Sequence, residues 1–294
     1  MKVGFIGLGH MGLPMAGRLA ASGSCSLIVW NRTPGRAASL AAAGAVLAES
    51  PQALAAECDL VITMLSDGQA VRAVMCGPDG VLPALRAGAI AVDMSTIGPS
   101  AAREIAAEAA AHGAGFLDAP VSGSVTLAEQ GTLTVMAGGP PEIFERARPV
   151  LAQLSKTQLY LGPSGAGAAM KLAVNILIAA TNQAIAEALT VAVQSGIGQA
   201  AAYDTLASSA VASPFIAYKR EAFLNPGTTP VSFTTELMSK DLQLAMDVAG
   251  DTRLPVTTAS KQFLDACSAA GFADEDFASV ARVLRRESDR TEST

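Results

Sequence analysis

The stretch Lys2-Val3-Gly4-Phe5-Ile6-Gly7-Leu8-Gly9-His10-Met11-Gly12 decides the fold. A short apolar run stops at glycines and gives way to Leu13-Pro14-Met15-Ala16-Gly17-Arg18-Leu19, which reads as a helix. Strand, tight turn, helix is the setting in which GxGxxG carries meaning. Gly7 permits the turn, Gly9 lets the backbone approach a pyrophosphate, and Gly12 lets helix and strand pack closely. The helix start then offers free N–H groups and a positive dipole end to phosphates. Gly7, Leu8, Gly9, His10, Met11 and Gly12 are therefore expected to line the phosphate side of a dinucleotide site.

Working outward, a second apolar run, Leu27–Trp30, is followed by Asn31-Arg32-Thr33. A site for NAD normally carries an acid here, about 20 residues beyond the glycines, to accept from the ribose 2′-OH. This chain has Asn31 with Arg32 beside it. An acid would repel a 2′-phosphate, whereas a guanidinium grips one with paired charge-assisted bonds. Asn31 and Thr33 can add neutral donors. NADP is expected over NAD; a merely solvated Arg32 is the plain alternative.

Further runs at Leu60–Leu65, Ala89–Asp93, Phe116–Asp118 and Thr132–Ala137 alternate with Ala-rich helical stretches. That pattern means βαβ units and a mainly parallel sheet buried on both faces. Ligands sit outside the carboxyl ends of such strands. Met64 and Leu65 after one strand and Thr96 after another are thus expected beside the cofactor. After Gly162-Pro163-Ser164-Gly165 the chain turns helical. Gly167 to Gln194 contains no further glycine and no proline, and Gly196 ends one long helix. Shorter helices are expected at Ala200–Ser208, Pro214–Ala222, Thr235–Val248, Pro255–Ala270 and Asp274–Arg285, before a polar, fraying tail from Glu287. The expected division is a Rossmann-type domain over residues 1–162 and an all-helical domain over 163–294.

With half of its 294 residues hydrophobic, the chain can bury a substantial core. Net charge is −6 and no basic stretch occurs, so no nucleic-acid partner is expected. Cys25, Cys58, Cys76 and Cys267 form no CxxC pair or ligand-like cluster with His10 and His112, so no metal is expected and the thiols read as reduced. The first apolar run is too short for a signal peptide. Leu172–Ala192 contains Asn175, Asn182, Gln183 and Glu187, which suits a buried helix better than a membrane span. A cytoplasmic protein is expected.

The chemistry-bearing candidates lie later. Lys171 and Asn175 are four apart, on one face of the long helix. A lysine in an apolar helix needs a partner, a cavity or solvent. An ammonium there could deliver a proton to a carbonyl oxygen as hydride reaches carbon, and the neutral amine could take it back. The plain alternative is a lysine that snorkels to the surface. Asp118-Ala119-Pro120-Val121-Ser122-Gly123-Ser124 follows a strand, and its N–H groups with the Ser122 hydroxyl could cradle a carboxylate. Lys240 could reach a cofactor or be an ordinary helix-surface charge.

These segments together, from GFIGLGHMGLPMAGRLAASG through DMST, DAPVSGSVTLAEQGTLTVMAGG, GAGAAMKLAVN and KDLQLAMDVA to DEDFASV, resemble the 3-hydroxyisobutyrate dehydrogenase family, the β-hydroxyacid dehydrogenases. The resemblance runs end to end. It implies a Rossmann domain joined by a long helix to an all-helical domain, with the active site in the cleft between them. It implies Lys171 as catalytic, Ser122, Gly123 and Asn175 at the substrate, and Thr96 and Lys240 at the cofactor. It further implies a homodimer or homotetramer formed through the helical domain. Asn-Arg-Thr looks like the NADP-using branches, and the expected substrate is a small hydroxy or semialdehyde carboxylic acid. Ser124 stands where the family often has glycine, so its side chain joins the expected substrate set. Imine or ketone reduction, and a non-catalytic dinucleotide-binding scaffold, are the competing readings.

Overall fold

The structure, a computed structural model, describes residues 1–284. Its strands are β1 (Lys2–Ile6), β2 (Ser26–Trp30), β3 (Val46–Leu47), β4 (Leu60–Thr63), β5 (Ile90–Asp93), β6 (Gly115–Asp118), β7 (Val121–Ser122), β8 (Leu133–Gly138) and β9 (Ser155–Gly162). Between them lie helices α1 (Gly12–Ser22), α2 (Ala38–Ala42), α3 (Pro51–Glu57), α4 (Gly68–Cys76), α5 (Pro99–Ala111), α6 (Val125–Gln130) and α7 (Pro141–Leu154). Then come α8 (Ala166–Gln194), α9 (Gln199–Ser208), α10 (Pro214–Leu224), α11 (Thr235–Ala249) and α12 (Pro255–Cys267).

The sheet runs β3-β2-β1-β4-β5-β6-β8-β7, with β9 also paired to β8. The first six strands are parallel and in the doubly wound order. β8 runs antiparallel to β6 and β7. The expected parallel sheet therefore gains an antiparallel margin. Three strands escaped the sequence reading. β3 and β7 have two residues each, too few for a periodic signal. β9 is largely exposed, so no apolar run marks it.

Alternate strand residues enter different cores. Leu60 and Ile62 join Val3, Phe5, Ile90 and Val92 beneath α1 and α7, whereas Val61 and Ala91 pack with α3, α4 and α5. Each buried aliphatic contributes about 1.5–3 kcal/mol of transfer free energy, so truncating Ile62 to Ala should cost about 2–5 kcal/mol. In α1, Gly12, Met15, Ala16 and Leu19 form the buried stripe, spaced i, i+3, i+4, i+7.

The chain clusters into two compact units, Met1–Lys171 and the residues from Leu172 onward. The first is the Rossmann-type sheet domain. The second is all helical, built on α8 to α12 around Ile185, Leu189, Tyr203, Phe223, Leu242 and Phe277. The long helix expected from Gly167 to Gln194 is α8, begun one residue earlier. It is long and apolar enough by composition to cross a bilayer. Its polar residues nonetheless have protein partners: Asn182 Nδ2 donates to the Phe277 carbonyl at 3.0 Å and Gln183 Nε2 to Glu187 Oε1 at 2.9 Å. The helix expected over Pro255–Ala270 stops at Cys267 and passes into a π turn, Ser268–Phe272, in which Gly271 has φ +91°. Of the helix expected over Asp274–Arg285, Phe277–Ser279 is a 3-10 turn with α-helical residues after it. Arg285 and the tail from Glu287 lie outside the described residues.

Candidate active site

The carboxyl ends of five parallel strands stand in one row. Trp30, Ile6, Thr63, Asp93 and Asp118 are successive register partners across β2, β1, β4, β5 and β6. Each candidate loop leaves this row one residue later, so residues distant in sequence emerge along one edge of the sheet.

The glycine turn departs from Ile6. Gly7 has φ +98°, and a Cβ there would lie 2.3 Å from the Met64 carbonyl oxygen. A Cβ on Gly12 would stand 1.9 Å from the Gly7 carbonyl oxygen, so α1 can begin this close to the turn only without a side chain. Gly9, in contrast, faces open space. It adjoins a groove of about 380 Å³ lined by Gly7, Trp30, Asn31, Arg32, Thr33 and Arg36 on one side and Leu65, Ser66, Ala70 and Val74 on the other. Exposed turn, apolar wall and two guanidinium groups suit the pyrophosphate, adenine and ribose end of a dinucleotide. Leu8 and Gly12 are buried, Met11 is half-buried, and His10 is exposed.

Asn31 is used differently from its expected role as a donor to phosphate. Its Oδ1 accepts the Leu8 N–H at 2.9 Å, and its Nδ2 donates to the Thr33 carbonyl at 2.9 Å. The side chain thus braces the glycine turn against the loop carrying Arg32. Arg36, absent from the sequence reading, lines the same groove four residues beyond Arg32, in the 3-10 turn Pro34–Ala37. Its spacing from Arg32 was the available signal.

A second brace joins the next two loops. Asp93, buried, accepts from Thr63 Oγ1 at 2.7 Å and from Ser95 Oγ at 2.6 Å. Ser95 Oγ in turn accepts the Leu65 N–H at 2.9 Å. Met64 and Leu65 on one exit and Thr96 on the other are held in relation by this chain of bonds; all three are half-buried.

Ser122 lies in β7, opposite Thr134. Gly123 follows at φ +146°. Ser124 Oγ accepts the Leu127 N–H at 3.3 Å as the N-cap of α6, so this residue starts a helix as well as bordering the candidate cradle. Asp118, which opens the candidate segment but had no role assigned from sequence, is the organising group. Its Oδ1 accepts the Gly165 N–H at 2.7 Å and its Oδ2 the Ala168 N–H at 2.8 Å. These bonds bring the start of α8, and hence the turn carrying Lys171, to the carboxyl end of β6. Burial pushes the Asp118 carboxyl up to about 6, and the nearby Asp93 charge adds to that rise, against the pull of the backbone amides of Gly165, Ala168 and Asp118 itself.

Lys171 is half-buried on α8. Asn175, one turn on, is buried, and its Nδ2 donates to Asp241 Oδ2 at 2.6 Å. Lys240 lies in the helical unit, paired with Asp241 Oδ1 at 2.9 Å.

Residues 2–162 match the NAD binding domain of 6-phosphogluconate dehydrogenase, and residues 165–284 match the NAD-binding domain of NADP-dependent 3-hydroxyisobutyrate dehydrogenase. The chain is 36% identical to 2-(hydroxymethyl)glutarate dehydrogenase of Eubacterium barkeri, covering 96% of this chain and 94% of that one. It is 33% identical to glyoxylate/succinic semialdehyde reductase 1 of Arabidopsis thaliana, covering 97% and 99%. The solved structure of 3-hydroxyisobutyrate dehydrogenase from Mycobacterium tuberculosis with L-serine superposes with a TM-score of 0.83 at 35% identity, over 97% and 99% of the two chains. With a doubly wound sheet order, a glycine turn opening onto a groove, and both halves of the chain accounted for, the protein belongs to the 3-hydroxyisobutyrate dehydrogenase family of NAD(P)-dependent oxidoreductases.

Proposed function

We propose that the protein is an NADP-preferring dehydrogenase or reductase that interconverts a small hydroxy acid and the corresponding semialdehyde or oxo acid. The observation that carries this reading is the double hydrogen bond from the start of α8 to Asp118. It sets the turn bearing Lys171 at the same sheet edge from which the glycine turn opens.

When bound, the nicotinamide supplies or takes up the hydride. In reduction, the Lys171 ammonium gives a proton to the carbonyl oxygen; in oxidation, the neutral amine accepts it from the hydroxyl. Asn175, one turn away on the same helix, offers a fixed amide to orient the substrate oxygen. Ser122, Gly123 and Ser124 form the cradle for the substrate carboxylate, with hydroxyls that can donate to it. Thr96, on the loop braced by Asp93 and Ser95, stands among the cofactor contacts, and Lys240 is proposed among them too.

Preference for NADP is supported by Asn31 standing where an acid would repel a 2′-phosphate, and by Arg32 and Arg36 on the groove wall. It is also supported by the likeness of residues 165–284 to an NADP-dependent enzyme. The substrate class is supported by the two relatives, named for a hydroxymethyl diacid and for glyoxylate and succinic semialdehyde. Exposed Leu177 and Val191 on α8 support self-association through the helical unit.

The test is steady-state kinetics on a panel of semialdehyde acids, glyoxylate and 3-hydroxy acids, with NADPH and NADH in parallel. Turnover should favour NADPH and require the substrate carboxylate. Lys171→Ala should lower kcat about 10²–10⁴-fold while still binding NADPH. Near-normal turnover by that variant removes the lysine from the mechanism, and indifference to the carboxylate removes the substrate class.

A further inference from the structure

The start of α8 is held in an unusual way. A long helix leaves its first N–H groups without partners, and a neighbouring serine, threonine or asparagine commonly satisfies one of them. Here a carboxylate nearly fifty residues away in sequence satisfies two, one with each oxygen. The backbone also presses in directly. A Cβ on Gly167 would lie 2.3 Å from the Met136 carbonyl oxygen and 2.5 Å from that of Asp118. The first turn of α8 is therefore clamped against β6 and β8 with no intervening side chain. Lys171 sits three residues beyond Ala168, in the turn that follows the clamped one.

The charge is costly where it stands. Burial raises the Asp118 carboxyl to about 6, above its ordinary 3.8. Its ionised form thus opposes folding above about pH 6, and the cost disappears once the pH falls below the unfolded carboxylate range. A neutral cap would avoid this, but an asparagine offers only one acceptor oxygen for two amides.

We propose that Asp118 is the positioning residue for Lys171, its two carboxylate oxygens fixing the first turn of α8 so that the ammonium meets the substrate oxygen. This rests on the assignment of Lys171 as the proton-transfer group. Asp93 of β5 is the acid that faces Asp118, Arg103 of α5 lies against Gly165, β8 contributes the side-chain-free Gly138, and α8 contributes its amides with Lys171 one turn on. Protonation removes one of the two acceptors, so the aim of Lys171 changes as the pH falls through about 6, while burial favours the anchored, neutral form.

Three measurements on the full chain test this. Asp118→Asn should lower kcat at least tenfold while changing KM and NADPH affinity less than threefold. The wild-type kcat profile should fall on an acid limb near pH 6, and that limb should be lost in Asp118→Asn. Hydrogen exchange, corrected for intrinsic rates, should show residues 164–171 of the wild type gaining protection between pH 8 and pH 5, because opening releases a carboxyl whose charge burial disfavours, while β1 keeps its own. That last arm needs no variant and holds even if Asp118→Asn fails to fold. Wild-type kcat with an unchanged acid limb in Asp118→Asn, or no selective gain of protection in the wild type, overturns the proposal. Should Lys171→Ala turn over normally, the lysine assignment falls and the positioning role with it. An inactive Lys171→Ala beside an unaffected Asp118→Asn removes the positioning role alone.

Discussion

Asn175 gives an amide hydrogen to Asp241 Oδ2 at 2.6 Å, and both side chains are buried within the helical unit. A carboxylate only accepts, so the bond decides which end of the Asn175 amide points where. The carbonyl oxygen is turned away from Asp241. Replacing Asp241 with Asn removes the charge from a buried bond of about 1.5–3 kcal/mol and lets either amide orientation compete. Asp241→Asn should lower stability by about 2 kcal/mol in chemical denaturation and reduce kcat more than it raises KM. An unchanged unfolding midpoint would mean that the bond contributes no net stability.

Cofactor choice should respond to two positions separately. Arg32→Ala removes a charge-assisted contact of about 1.5–3 kcal/mol, so kcat/KM for NADPH should fall about 10- to 100-fold while that for NADH changes little. Asn31→Asp keeps an oxygen to accept the Leu8 N–H, so the glycine turn should survive. It loses the donor to the Thr33 carbonyl and gains a charge that repels a 2′-phosphate. Kinetics with both cofactors should show Asn31→Asp shifted toward NADH. Unaltered NADPH preference in both variants would place the selectivity elsewhere.

Lys219 is buried against Asp276, its Nζ donating at 2.6 Å and 2.7 Å to the two carboxylate oxygens and at 2.9 Å to Ser232 Oγ. Burial works against the Asp276 charge, but Lys219, the Ala278 amide and the Ser232 hydroxyl outweigh it and hold the carboxyl below its usual range. A lowered carboxyl adds stability above the unfolded carboxylate range and loses it as the pH falls through the still lower folded value. Lys219→Met leaves the acid buried without its cation and should cost about 3–5 kcal/mol at pH 7. The deficit should shrink below about pH 4, where the unfolded acid is protonated. Denaturation at pH 7 and pH 3.5 measures both; equal deficits would show that the charge of Asp276 is not the cause.

The four thiols are unpaired, and burial pushes Cys58 and Cys76 up to about 12 and Cys267 to about 11. Thiolate is the reactive form. At pH 8 these three should react with a disulfide reagent at least tenfold more slowly in the native protein than in denaturant, without loss of activity during the slow phase. Rapid native labelling of Cys58 would contradict its burial.

Much of the first domain was legible because its signals are local. The glycine turn, the β-branched runs and the stripe of α1 each follow from a few adjacent residues. β9 was invisible because its pairing with β8 is long range, carries register shifts and exposes most of its residues. The segment Asp118–Ser124 stood out as a candidate, yet the use of Asp118 could not be read from it. Its partners, Gly165 and Ala168, lie almost fifty positions away and contribute only backbone. Asn31 was visible as the absence of an acid, while its brace to Leu8 depends on two loops meeting at the sheet edge.

The succession of the six main strands along the chain, the long helix and the types of residue available for chemistry were determined by the sequence itself, because periodicity, turn glycines and side-chain identity act over a few residues. Which buried groups meet was decided only in the tertiary structure. Parallel register aligns Trp30, Ile6, Thr63, Asp93 and Asp118; that alignment gives Asp93 its threonine, and the return of the chain past β8 gives Asp118 the start of α8. A hydrogen bond is set by distance in space, and distance along the chain does not encode it.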